Sequence, residues 1–127
     1  MNAPPAPNRH PGVMFEIMAR DQHAMQAFYT AVFGWHYMAG EAGFAYVRFP
    51  VRMQPLLGGI GQADASVPGM APGHAFYLEV DELDATMARA VAAGGSRLME
   101  PTDADGYRFA MIRDPEGNAV GLVRPFR

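Results

Sequence analysis

One order of elements is written twice in this chain of 127 residues: strand, helix, strand, strand, strand. The first copy opens with "VMFEIMAR" (13–20), where Val13, Phe15 and Ile17 alternate with Met14, Glu16 and Met18. That period of two is what a half-buried strand requires. Asp21 is placed to cap a helix, and Met25, Phe28, Tyr29, Val32 and Phe33 recur at the spacing of one apolar helical stripe. Gly34 follows as its C-cap. Three strand-like runs come next, at 35–39, 44–49 and 56–61, separated by "GEAG" and "PVRMQP". The segment "QADASVPGMAPG" (62–73) has the composition of a linker, and after it the order returns. "AFYLEV" is a strand, and "DELDATMARAVAAGG" is a helix with Leu83, Met87, Ala90 and Val91 as its stripe. Asp81 or Asp84 can start this helix and Gly94 or Gly95 can end it. "SRLME", "YRFAMIR" and "NAVGLVRP" supply three further strands. In "DPEGN", Pro115 and Gly117 suit a type I turn followed by a G1 bulge.

Each helix in such a pattern must cover a sheet, and each sheet keeps a second face. Two modules side by side therefore predict an α+β fold: tandem βαβββ modules forming a curled mixed sheet, helices outside, and a central cleft. The expected boundaries are a flexible tail over 1–12 and a single domain over 13–127. Within the domain, module one is 13–61, the linker 62–73 and module two 74–125. A ferredoxin-like sandwich, with two strands per module instead of three, fits the pattern less well. Half of the residues are apolar, enough for one core without cross-links. The net charge of −3, with no basic run, argues against nucleic acid or an acidic membrane as partner. The chain has no Cys, which excludes disulfides, thiolate metal sites and a Cys nucleophile. No apolar run approaches the roughly 18 residues of a membrane span. "MNAPPAPNRHPG" lacks the apolar core of a signal peptide, so the expected compartment is the cytoplasm.

The arrangement resembles the vicinal oxygen chelate superfamily, which includes glyoxalase I, bleomycin resistance proteins and extradiol dioxygenases. "FEIMARD…AFYTAVFGW" (15–35), "FYLEVDELDATMARAVAAGG" (76–95) and "RDPEGNAVGL" (113–122) carry the resemblance. Their order and spacing are more specific than any one of them alone. The resemblance implies a paired βαβββ fold, frequent dimerisation and a ligand cleft inside the curled sheet. In the metal-dependent members, His, Glu or Gln side chains in that cleft hold a divalent ion that chelates two substrate oxygens.

Carried over residue by residue, the implied metal positions fall on Met14, a glycine of "LLGGIG" (Gly58, Gly59 or Gly61), Ala75 and Gly121. A thioether is a poor ligand for hard or borderline ions, and the other positions offer no donor side chain. His74 lies one residue before the family position and shares the parity of Phe76, Leu78 and Val80, the row that should meet the helix. His10, His23 and His36 form no metal-binding spacing. The expectation is therefore no metal and no cofactor.

Met14, Glu16, Met18, Ala75, Tyr77 and Gly121 remain as the expected lining of an apolar, adaptable cleft. Glu16 could serve as a general base or anchor a cationic or hydroxylated ligand. It could instead pair with an Arg on a neighbouring strand, Arg48 or Arg113, and serve the sheet alone. Tyr77 could hydrogen-bond a ligand or act as an aromatic wall. The reading favoured by the residues is a homodimeric protein that binds a small organic molecule without a metal ion. Its alternative is a glyoxalase-like lyase, isomerase or dioxygenase, with an unorthodox metal site or Glu16 as a metal-independent base. A domain whose partners are only proteins is a third possibility, which a filled interior without a cleft would indicate.

Overall fold

Helix α1 (Gln22–Phe33) begins where Asp21 leaves an extended backbone and its carboxylate accepts a hydrogen bond from the Ala24 N–H. It ends at Gly34, whose left-handed φ of 72° lets its own N–H donate to the Thr30 carbonyl. The computed structural model describes residues 4–6, 15–49, 60, 62–104 and 106–125. Most of the expected tail over 1–12, Met14 and nearly all of the expected strand over 56–61 lie outside these residues. Met25, Phe28, Tyr29 and Val32 are buried as the periodicity requires, while Phe33 is half-buried against Tyr29 and Trp35. Each large apolar side chain buried this way contributes about 1.5–3 kcal/mol relative to exposure.

After α1 come two short antiparallel strands, β1 (Met38–Ala39) and β2 (Ala45–Tyr46), with Met38 opposite Tyr46. The main sheet is built from β3 (Tyr77–Glu79), β4 (Ser96–Ala104), β5 (Tyr107–Arg113) and β6 (Ala119–Pro125). Its order is β3-β6-β5-β4, with β3 parallel to β6 and the other pairs antiparallel. Helix α2 (Leu83–Ala92) connects β3 to β4 and covers one face of this sheet. The result is the α+β arrangement of helices outside mixed and antiparallel sheets, with the sheet left open.

Several elements differ in detail from the sequence pattern. Residues 15–19 make no ladder with another described residue, so the expected first strand is not a paired strand among the described residues. In contrast, β4 runs on through Pro101, beyond "SRLME". It lies at a sheet edge, where a missing N–H is tolerated, and its register shifts on both sides of Met99. In α2, Thr86 rather than Val91 completes the buried face, because the Thr86 hydroxyl donates to the Glu82 carbonyl at 2.7 Å. Val91 is 49% exposed. The N-cap is Glu82, without a side-chain cap bond, and Asp84 instead pairs with Arg97 on β4 at 3.2 Å.

One core lies between the helices and the sheet. Met25, Phe28, Tyr29 and Val32 of α1 meet Leu83, Met87 and Ala90 of α2 over Ala110, Ile112, Val120 and Leu122. Gly95, just after α2, lies where a Cβ would come 2.5 Å from the Arg113 carbonyl oxygen and 3.1 Å from a Phe28 ring carbon. This close approach allows the turn leaving α2 to lie directly on β5.

Candidate functional site

Because β3, β5 and β6 alternate, burying one row under the helices fixes the opposite row on the face turned away from them. Phe76, Leu78 and Val80 pack toward the core, and Ala75, Tyr77 and Glu79 are exposed. Tyr77 is registered with Gly121, Gly121 with Met111, and Met111 with Met99, giving one row across all four strands. A side chain at position 121 would overlap the ring of Tyr77, so Gly121 is the seat on which that ring rests. The Phe109 ring stands edge-on to Tyr77 at 6.5 Å. Burial raises the Tyr77 phenol above its ordinary pKa. The ring nevertheless remains 49% exposed.

The far end of this row is covered. In the segment 62–73, the Asp64 carboxylate accepts hydrogen bonds from the Ser66 N–H and hydroxyl, and the Asp64 N–H donates to the Met70 carbonyl. Gly69, at φ 87°, passes so close to the sheet that a Cβ would come 2.8 Å from Met99 Cε and 3.0 Å from Met111 Sδ. Met111 is buried as a result, and the row stays open at its Tyr77 end.

Beside that open end is a cavity of about 450 Å³ walled by residues 15–18, 74–76 and 118–119. Phe15 and Phe76 both pack against the core and stack on each other, with centroids 4.2 Å apart and planes 14° from parallel. Glu16, Met18 and Ala75 are exposed on the cavity wall, Met18 at 73%.

The β5–β6 turn holds this wall in place. Gly117 N–H donates to the Asp114 carbonyl, Asp114 N–H donates to the Asn118 carbonyl, and Gly117 takes φ 88°. These are the type I turn and G1 bulge expected of "DPEGN". The buried Asp114 carboxylate accepts from the Tyr29 hydroxyl at 2.9 Å, the Asn118 amide at 2.8 Å, and the N–H groups of Glu116 and Asn118. Burial, reinforced by that carboxylate, pushes the Tyr29 phenol far above its ordinary value. Glu116 next to it accepts from the Arg20 and Asp21 N–H groups at 2.8 and 2.9 Å, and these bonds hold its carboxyl below the usual range. The turn thus fixes the chain between the cavity wall and α1.

Of the residues singled out in the sequence, Glu16, Met18 and Ala75 line one cavity, and Tyr77 and Gly121 touch each other beside it. Met14 lies outside the described residues, as do Gly58, Gly59 and Gly61. Neither Arg48 nor Arg113 forms an ion pair with Glu16. Arg113 donates to the Gly117 carbonyl, and the described ion pairs involve Arg97 and Arg108. Strand parity did not place His74 on the cavity wall, where it lies. The ladder starts only at Tyr77, so strict alternation does not bind residue 74. Asn118 and the Met99–Met111 closure were also missed, since only the register brings them together.

The described donor set does not fit the divalent ion of the metal-dependent relatives. Ala75 and Gly121 carry no donor atoms, the Tyr77 ring fills the space beside Gly121, and among the described residues no three His, Asp or Glu side chains converge. No helix among the described residues is long and apolar enough to cross a membrane.

A family model described as a glyoxalase-like domain matches residues 12–123. The Mycobacterium bovis protein named "Putative glyoxylase CFP32" is 35% identical over 117 residues, which are 84% of this chain and 42% of that protein. The chain spans less than half the length of the curated relatives it matches. A glyoxalase/bleomycin resistance protein/dioxygenase family enzyme from Burkholderia phytofirmans PsJN superposes with a TM-score of 0.62 at 22% identity, over 87% of this chain and 94% of that one. TnmS3, an antibiotic binding protein from Streptomyces sp. CB03234, gives a TM-score of 0.54 at 25% identity, over 91% and 99% of the two chains.

Proposed function

The chain belongs to the glyoxalase-like domain family of the vicinal oxygen chelate superfamily, and on that premise we propose that it binds a small organic molecule with an aromatic body in its concave cleft, without a metal ion. The observation that carries this reading is the half-exposed Tyr77 ring seated on Gly121. Where a metal-dependent relative would place a carboxylate, this chain has Gly121 with the Tyr77 ring lying on it. The antibiotic-binding description of TnmS3 supports the same direction. The reading takes 13–127 as one domain, its modules at 13–61 and 74–125 joined by 62–73, working in the cytoplasm.

Doxorubicin, a planar antibiotic that reports binding by its own fluorescence, is a suitable probe. Tyr77→Ala should weaken its binding by about tenfold, the loss of one aromatic stacking contact with its buried area. Unchanged affinity in this variant would remove Tyr77 from the site. An enzymatic version of the reading, with Glu16 as a metal-independent base for an isomerase or lyase step, draws support from the glyoxylase name of the mycobacterial relative. Abolished turnover in Glu16→Gln with retained binding would identify it.

A homodimer belongs to the same reading. Met38, Phe44 and Tyr46 are exposed on the first hairpin, with the Phe44 and Tyr46 rings stacked at 5.9 Å, a patch that a second copy would cover. Light scattering at micromolar concentration should give twice the chain mass, and a monomeric mass would count against the pairing.

A further inference from the structure

We propose that the ligand carries a protonated amine beside its apolar body, and that Glu16 is the group that selects it. This rests on the reading of the cleft as a small-molecule site and names the ligand's chemical class.

The cavity wall is of mixed character. Phe15, Ile17, Met18, Ala75, Phe76 and Ala119 supply its apolar side chains. Of its polar members, Asn118 is already committed, its amide donating to the Asp114 carboxylate at 2.8 Å and its N–H to the same group. Among the described residues Glu16 is the single carboxylate on the wall, and His74 the remaining polar side chain. Among the described residues no arginine forms an ion pair with Glu16. Arg97 is held by Asp84 and Glu100, Arg108 by Asp103, Arg113 by the Gly117 carbonyl, and Arg89 by the Val32 carbonyl and Thr86.

A carboxylate beside these apolar side chains loses part of its hydration when an apolar ligand covers it. A neutral ligand gives nothing in return, whereas an ammonium group supplies a charge-assisted hydrogen bond in a medium of reduced dielectric. The volume of about 450 Å³ is within the range of small-molecule sites. Tyr77, next along the chain from the wall residues Ala75 and Phe76 and half exposed, offers the aromatic body a surface on which to lie. The same residues therefore discriminate against anionic ligands and, more weakly, against neutral ones of the same shape.

The test compares doxorubicin, whose sugar amine is protonated at pH 7, with its N-acetyl derivative, which keeps the chromophore and sugar but loses the charge. Binding is measured by fluorescence anisotropy on wild type, Glu16→Gln and Tyr77→Ala. The wild type should prefer the amine by about tenfold, the scale of one charge-assisted contact. Added salt should erode that preference. In Glu16→Gln the two probes should bind alike, while Tyr77→Ala should weaken both and keep their ratio. Equal affinities in the wild type, or a preference that survives Glu16→Gln, would overturn the selection by Glu16 while leaving the cleft a binding site. Failure of both probes to bind the wild type would instead refute the reading of the cleft, and this inference with it. Thermal melts of Glu16→Gln that coincide with wild type exclude a structural cause for the lost preference.

Discussion

Asp114→Ala should lower the stability of the fold by about 3–5 kcal/mol, the range for breaking a buried charged network from one side. The carboxylate is 3% exposed and accepts four hydrogen bonds, from the Tyr29 hydroxyl, the Asn118 amide and two turn N–H groups. Its removal strands the buried Tyr29 hydroxyl and unmakes the turn that presents Glu116 to the Arg20 and Asp21 N–H groups. Tyr29→Phe removes only one of these bonds and should cost about 1–2 kcal/mol. Urea denaturation of both variants gives the comparison. An Asp114→Ala protein within 1 kcal/mol of wild type would mean that the turn holds itself together without this hub.

Gly95→Ala should destabilise by about 3 kcal/mol, the upper part of the usual range for overpacking, and by clearly more than Gly94→Ala. The ordering is informative because Gly94 has the left-handed φ of 102° and Gly95 does not. Around Gly94 a Cβ would meet only a Pro115 carbon at 3.7 Å, so the substitution there costs local strain alone. At Gly95 the Cβ meets the backbone oxygens of Arg113 and Ala90 together with a Phe28 ring carbon. Backbone on two sides cannot rotate away as a side chain can. Paired thermal melts should show the larger loss at Gly95, and the reverse order would contradict this account of how α2 lies on β5.

Helix α1 was legible almost to the residue, because an Asp cap, a periodic stripe and a terminal glycine are local signals that agree. The "DPEGN" turn was legible for the same reason. The buried face of α2 was read less well. Thr86 looks polar in sequence, but its hydroxyl is satisfied within the helix by the Glu82 carbonyl, so its methyl group can face the core. Strand extents were the weakest part, since pairing partners decide them: β4 continues through Pro101 because β5 runs beside it. For the site, alternation placed Ala75 and Tyr77 on the open face. The seat of Tyr77 on Gly121, and of Gly69 on Met99 and Met111, needed the register of strands far apart in the chain.

The Phe15–Phe76 stack carries a last consequence. Among the described residues no backbone hydrogen bond joins 15–19 to 74–76, so the gap between those segments is not held at the about 4.8 Å repeat of a ladder. Two aromatic rings set it instead, as the jaws of a calliper are set by what is clamped between them. The bore of the cleft is then a property of side-chain volume at two positions. Trimming or enlarging either ring would regauge the cleft for a narrower or broader ligand while every hydrogen bond in the β3–β6 sheet stayed intact.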